Sequence, residues 1–137
     1  MREILFRGKR THDNEWTIGS LHIEKFIEDE EYICCEINQC DVHPETVGQY
    51  TGLTDKNGTK IFEGDIGRYQ QTDGARQNNK PIICIGKVIY NAKTASFAVE
   101  SKDEKGFKYF DYFPVKDFEI IGNIHDNPEL LKGVAEL

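Results

Sequence analysis

Asp55-Lys56-Asn57-Gly58 constrains this chain more than any other stretch. The order is that of a type I turn followed by a left-handed residue: Asp caps the turn, and Gly takes a positive φ without steric penalty. The turn joins GQYTGLT to TKIFEGDI as a β-hairpin. A calcium loop is the competing reading and fails on spacing, since an EF-hand needs glycine at its sixth position and a bidentate Glu at its twelfth. Counted from Asp55, Gly58 stands fourth and Ile66 twelfth. No GxxxxGK[ST] or GxGxxG run is present to cradle a phosphate. In Glu63-Gly64-Asp65 the glycine marks a bend or bulge, and Asp65 reads as the cap of a tight turn. Asp55, Asn57, Gly58, Gly64 and Asp65 are therefore expected to be structural turn residues.

Short strands extend from this hairpin in both directions. Ile4 and Phe6 alternate with polar or small neighbours, and after a polar turn Trp16, Ile18, Leu21 and Ile23 resume the pattern, predicting two antiparallel strands. The acidic run Glu28-Asp29-Glu30-Glu31 separates them from EYICCEI, a third strand with Ile33, Cys35 and Ile37 on one face and Tyr32 and Cys34 on the other. Residues 41–45, with the His43-Pro44 step, are expected to leave the sheet. Residues 70–80, QQTDGARQNNK, carry almost nothing apolar and read as an exposed loop, a candidate variable interaction surface. IICIGKVIYN and SFAVES then form a hairpin around NAKTA. FKYFDYF places Phe107, Tyr109, Asp111 and Phe113 on one face and Lys108, Phe110 and Tyr112 on the other. FEIIGNI is the last strand, and Asp126-Asn127-Pro128-Glu129 opens a short helix. The fold class is mainly β: an N-terminal antiparallel unit over residues 1–50, then a second β unit over residues 51–137 ending in that helix, with a shared core allowed.

Composition bounds the function. With 38% hydrophobic residues in a chain of 137, a core forms without disulfide or metal. The longest apolar runs are a few residues, too short to cross a bilayer, and the N-terminus lacks the h-region of a signal peptide. A cytoplasmic protein with reduced thiols is the expectation. Net charge of -7 makes nucleic acid an unfavourable partner, although Arg2, Arg7, Lys9 and Arg10 crowd the first ten residues.

Cys34, Cys35, Cys40 and His43 are the one local metal candidate, with Cys84 and His125 as distant partners. Adjacent cysteines on a strand point to opposite faces and do not make a zinc knuckle, so no metal, cofactor or catalytic residue is expected. His12 and His22 read as surface histidines, and His125 as helping to fix the start of the helix.

REILFRGKR, NEWTIGSL, TVGQYTGLTDKNGTKIFEGDI and EIIGNIHDNPELL, spread over nearly the whole chain, resemble the YopX-like proteins of bacterial prophages and phages. The resemblance implies a phage setting and, in the C-terminal part, a small barrel or roll of SH3-like type. It carries no catalytic residue onto these positions, and residues 73–81 match none of its motifs. The expected function is a non-enzymatic module that binds phage or host proteins, its own copies included. Its candidate interface is Leu130, Leu131, Val134 and Leu137 on the terminal helix with Phe110 and Tyr112 on the aromatic strand. A nucleic-acid accessory using the basic N-terminal and aromatic strands stands second, and a small hydrolase built on Glu63, Asp65 and a histidine a distant third.

Overall fold

The computed structural model describes residues 3–27, 31–72, 81–102, 108–113 and 115–131. The chain is mainly antiparallel β and divides into two compact units, Met1–Gly52 and Leu53–Leu137.

In the first unit, β1 (Phe6–Lys9) pairs with β2 (Trp16–Gly19) and with the start of β6 (Gly48–Thr54). A separate three-stranded sheet comprises β3 (Leu21–Ile27), β4 (Glu31–Ile37) and β5 (Cys40–Val42). Strand alternation turns Cys35 and Ile37 inward, where they join Val42 in a core against which Phe6, Leu21 and Val47 pack. Cys34 and Glu36 occupy the opposite face.

Residues 16–23 are not one strand, because the ladder changes partner after Gly19. Asn38 packs where a Gly19 side chain would stand and donates from Nδ2 to the Ile18 carbonyl at 2.6 Å and to Thr17 Oγ1 at 3.0 Å. Nor does the chain leave the sheet at Asp41. Asn38 and Gln39, with φ of 53° and 63°, reverse it tightly, so that Cys40–Val42 return along β4 before the 3-10 turn at Pro44–Thr46.

In the second unit the end of β6 leads through the turn into β7 (Lys60–Phe62). A five-stranded sheet follows, formed by β8 (Asp65–Thr72), β9 (Pro81–Asn91), β10 (Ser96–Lys102), β11 (Lys108–Tyr112) and β12 (Lys116–Asn123). Its order is β11-β10-β9-β8-β12, so β12 returns beside β8. Ile61, Tyr69, Val88, Val99 and Phe118 form the core, with Cys84, Phe113, Val115 and Ile120 packed against it.

The described strands do not close into a barrel: β11 and β12 are the two ends of the sheet. The β8–β12 ladder shifts register between Lys116 and Glu119 and again between Ile120 and Gly122, which bends β12 out of regular pairing. Gln70–Thr72, expected in a loop, continue β8 opposite Ile83, Ile82 and Pro81. Glu129–Leu131 are helical after Pro128. Val134, Leu137, Phe107, Pro114, residues 28–30 and residues 73–80 lie outside the described residues. Among the described residues, no helix is long and apolar enough to cross a membrane.

Candidate functional site

The carboxyl-rich hairpin is occupied by its own backbone. Gly58 N–H donates to the Asp55 carbonyl at 3.0 Å, Asp55 N–H donates to the Thr59 carbonyl at 2.8 Å, and Gly58 has φ of 85°, which is a type I turn with a left-handed fourth residue. Asp55 Oδ1 accepts from the N–H groups of Asn57 and Thr59, both at 2.9 Å, and Oδ2 accepts from Ile120 N–H of β12 at 3.1 Å. Burial of Asp55 opposes its charge, but the donors from Ile120, Thr59 and Asn57 outweigh it and hold the carboxyl below its usual range.

Asp65, 2% exposed, accepts from Phe62 N–H at 2.8 Å and closes the second turn, where Gly64 has φ of 89°. Gly64 N–H donates to Val88 and its carbonyl accepts from Ile124 N–H. The Glu63 and Asp65 pair thus sits in a turn whose buried member already has an amide on its carboxylate.

A polar network crosses the second unit. Asp111 Oδ2 accepts from the Tyr69 hydroxyl at 2.7 Å, and Oδ1 accepts from Gln71 Nε2 at 2.8 Å. Tyr69 also reaches Ser101 Oγ at 3.4 Å, and Gln71 Oε1 accepts from Cys84 Sγ at 3.5 Å. Burial pushes the Tyr69 phenol up, and burial followed by Asp111 does the same to the Cys84 thiol. Both stay protonated at neutral pH, so neither is an activated nucleophile. The network ties β8, β9 and β11 together. Sequence reading missed it because Gln71 looked like a loop residue; a polar residue within reach of a strand period was the available signal. A cleft of about 240 Å³ nearby is lined by Leu53, Ile61, Phe113, Val115 and Phe118, with Asp55, Lys56 and Asp117 at its polar positions.

The aromatic strand divides only in part as its alternation requires, since Tyr109 is exposed on the face of Asp111 and Phe113. Phe113 packs against Phe118 with ring centroids 5.4 Å apart, and Asp111 joins the network. Phe110 and Tyr112 on the other face are 43% and 47% exposed, and Tyr109 is exposed as well. Of the tail residues, Leu130 and Leu131 are half-buried.

In the first unit the Arg7 guanidinium lies 4.7 Å from the Trp16 ring centroid and Lys9 Nζ 5.5 Å, so the indole is already engaged by the protein's own cations. Arg10 is paired with Asp13. His43 Nε2 donates to Asn14 Oδ1 at 3.0 Å. Cys35 is buried in the core while Cys34 faces outward toward Asp41 and Glu36, so the local Cys-Cys-Cys-His set does not assemble.

None of the curated proteins matches this chain. A solved structure that does is the crystal structure of protein EF1440 from Enterococcus faecalis, 24% identical over 96% of this chain and 99% of that one, with a TM-score of 0.49. The family model described as YopX protein matches residues 5–132, which take in both β units. On that span, the chain belongs to the YopX family.

Proposed function

We propose that this YopX-family protein is a phage-encoded, non-enzymatic module of the bacterial cytoplasm that works by associating with its own copies through β11. The observation that carries this reading is the contrast between the two sheet edges. β12 is blunted by two register shifts and a positive φ at Asp117. β11 pairs with β10 in unbroken register over five residues and exposes Phe110 and Tyr112 beside its outer edge.

An unblunted edge flanked by aromatics is a template for another strand. The sequence Lys108-Tyr109-Phe110-Asp111-Tyr112 also suits a two-fold, antiparallel self-pairing centred on Phe110. That register sets Phe110 against Phe110, Lys108 against Tyr112 and Tyr109 against Asp111: an aromatic pair, a cation–π pair and a hydroxyl–carboxylate pair. Such an interface is isologous and closes as a dimer. Leu130 and Leu131 add a second apolar contact. The half-buried Cys84 thiol and the buried Tyr69 phenol, both protonated, and the backbone-bound Asp55 and Asp65 support the absence of catalysis.

Light scattering coupled to size exclusion tests the proposal. The full-length chain is expected to be an oligomer at micromolar concentration, and Phe110→Glu is expected to release monomers. A full-length monomer defeats the idea. An oligomer that survives Phe110→Glu but dissociates when residues after Asn127 are removed relocates the interface to the tail.

A further inference from the structure

The outer face of β3-β4-β5 carries a donor cluster unconnected with the β11 edge. Glu36 on β4 lies opposite His22 on β3 and opposite Asp41 on β5, and Cys34, two residues back on the same face, lies opposite Glu24. One ligand atom each from Cys34, Glu36 and Asp41 falls within 4.8 Å of the other two. Cys34 Sγ stands 3.7 Å from Asp41 Oδ1. A tetrahedral zinc ion, with Zn–S of about 2.3 Å and Zn–O of about 2.0 Å, holds sulfur and oxygen roughly 3.5 Å apart. Two of the donors therefore already stand close to ligand spacing.

The geometry points to a site for one divalent transition-metal ion of the zinc type, held by Cys34 Sγ and the Glu36 and Asp41 carboxylates, with a fourth position open to water. The donor set decides the class of ion. Calcium and magnesium take oxygen ligands, whereas thiolate with carboxylate suits zinc and its borderline neighbours.

The first unit has a use for such an ion: among its described residues the buried apolar side chains are Cys35, Ile37, Val42 and Tyr50, in a unit ending at Gly52. Units of that size are at the margin where a hydrophobic core alone suffices, and one ion would tie β4 to β5.

Cobalt is the probe. The full chain, stripped with a chelator and titrated with Co²⁺, is expected to bind one ion per chain with a thiolate-to-cobalt charge-transfer band and tetrahedral visible bands, both displaced by zinc. Cys34→Ser should abolish the charge-transfer band. Asp41→Asn and Glu36→Gln should each weaken binding at least about tenfold. Cys40→Ser and Cys84→Ser should bind as the unaltered chain does, and circular dichroism shows that each variant is folded. A folded wild-type chain without the band, or a band that persists in Cys34→Ser, overturns the site. Asp41→Asn and Glu36→Gln both binding as tightly as wild type overturns the carboxylate ligands.

Discussion

Gly67 lies so close beneath Phe118 that a Cβ built on it would stand 2.0 Å from the ring carbon Cζ. The ring is hemmed in by Phe113 at 5.4 Å and Tyr69 at 6.3 Å between centroids, so it has no easy way to swing aside. Gly67→Ala is expected to lower stability by about 1–3 kcal/mol through overpacking, read as a reduced urea midpoint with an unchanged slope. Asp55 acts at the same scale through hydrogen bonding. Its carboxylate is the common acceptor for three amides, and Asp55→Ala should cost about 3 kcal/mol by leaving buried donors unmatched. The pH dependence has a definite sign. Because the folded carboxyl is held below the ordinary value of 3.8, its contribution is full above that pH and disappears as pH falls through the folded value. Stability curves of the natural chain and Asp55→Asn should therefore converge in acid and separate toward neutrality. A gap that stays constant from neutral to strongly acidic solution contradicts the assignment.

At the scale of elements, period-two patterning made β4, β9, β10 and β11 legible, and the Asp-Lys-Asn-Gly order made the hairpin legible. What escaped has local causes. β5 was missed because its turn uses Asn38 and Gln39 at positive φ, with no glycine to announce it. The end of β8 was missed because Gln71 is polar for a reason that lies on another strand, the Asp111 carboxylate. The cluster of Cys34, Glu36 and Asp41 follows no motif, since its spacing records the register of β4 against β5 rather than a local loop. The β4–β5 turn supplies a check of its own. A left-handed backbone costs an L-residue about 1–2 kcal/mol relative to glycine, and Gln39 is exposed and at φ 63°. Gln39→Gly should raise the stability of the first unit by roughly 0.5–1 kcal/mol, measured by thermal unfolding. Asn38→Ala should lower it by about 1–2 kcal/mol, through loss of the bonds to Ile18 and Thr17.

For the whole molecule, charge sets the expectation about nucleic acids. With a net -7 and Trp16 already covered by Arg7 and Lys9, binding to single-stranded DNA at physiological ionic strength should be weak, as fluorescence anisotropy would show. Submicromolar, salt-sensitive binding abolished by replacing Arg7, Lys9 and Arg10 together would reverse that expectation. The family was legible because its matching segments are spread across both units; an activity was not, because binding surfaces are written in exposure and edge geometry, which only the folded chain displays. The position of β12 matters most for how the protein comes into being. β8 pairs on one side with β9, made soon after it, and on the other with β12, and the third amide on Asp55 comes from Ile120, 65 positions away. A growing chain therefore carries a bare β8 edge and an incompletely bonded Asp55 until Lys116–Asn123 have been translated, and closing so long a loop precedes any reward from pairing. Nascent chains stalled before Lys116 are the aggregation-prone species of this protein, whereas the finished chain should refold on the millisecond-to-second scale of non-local β folds.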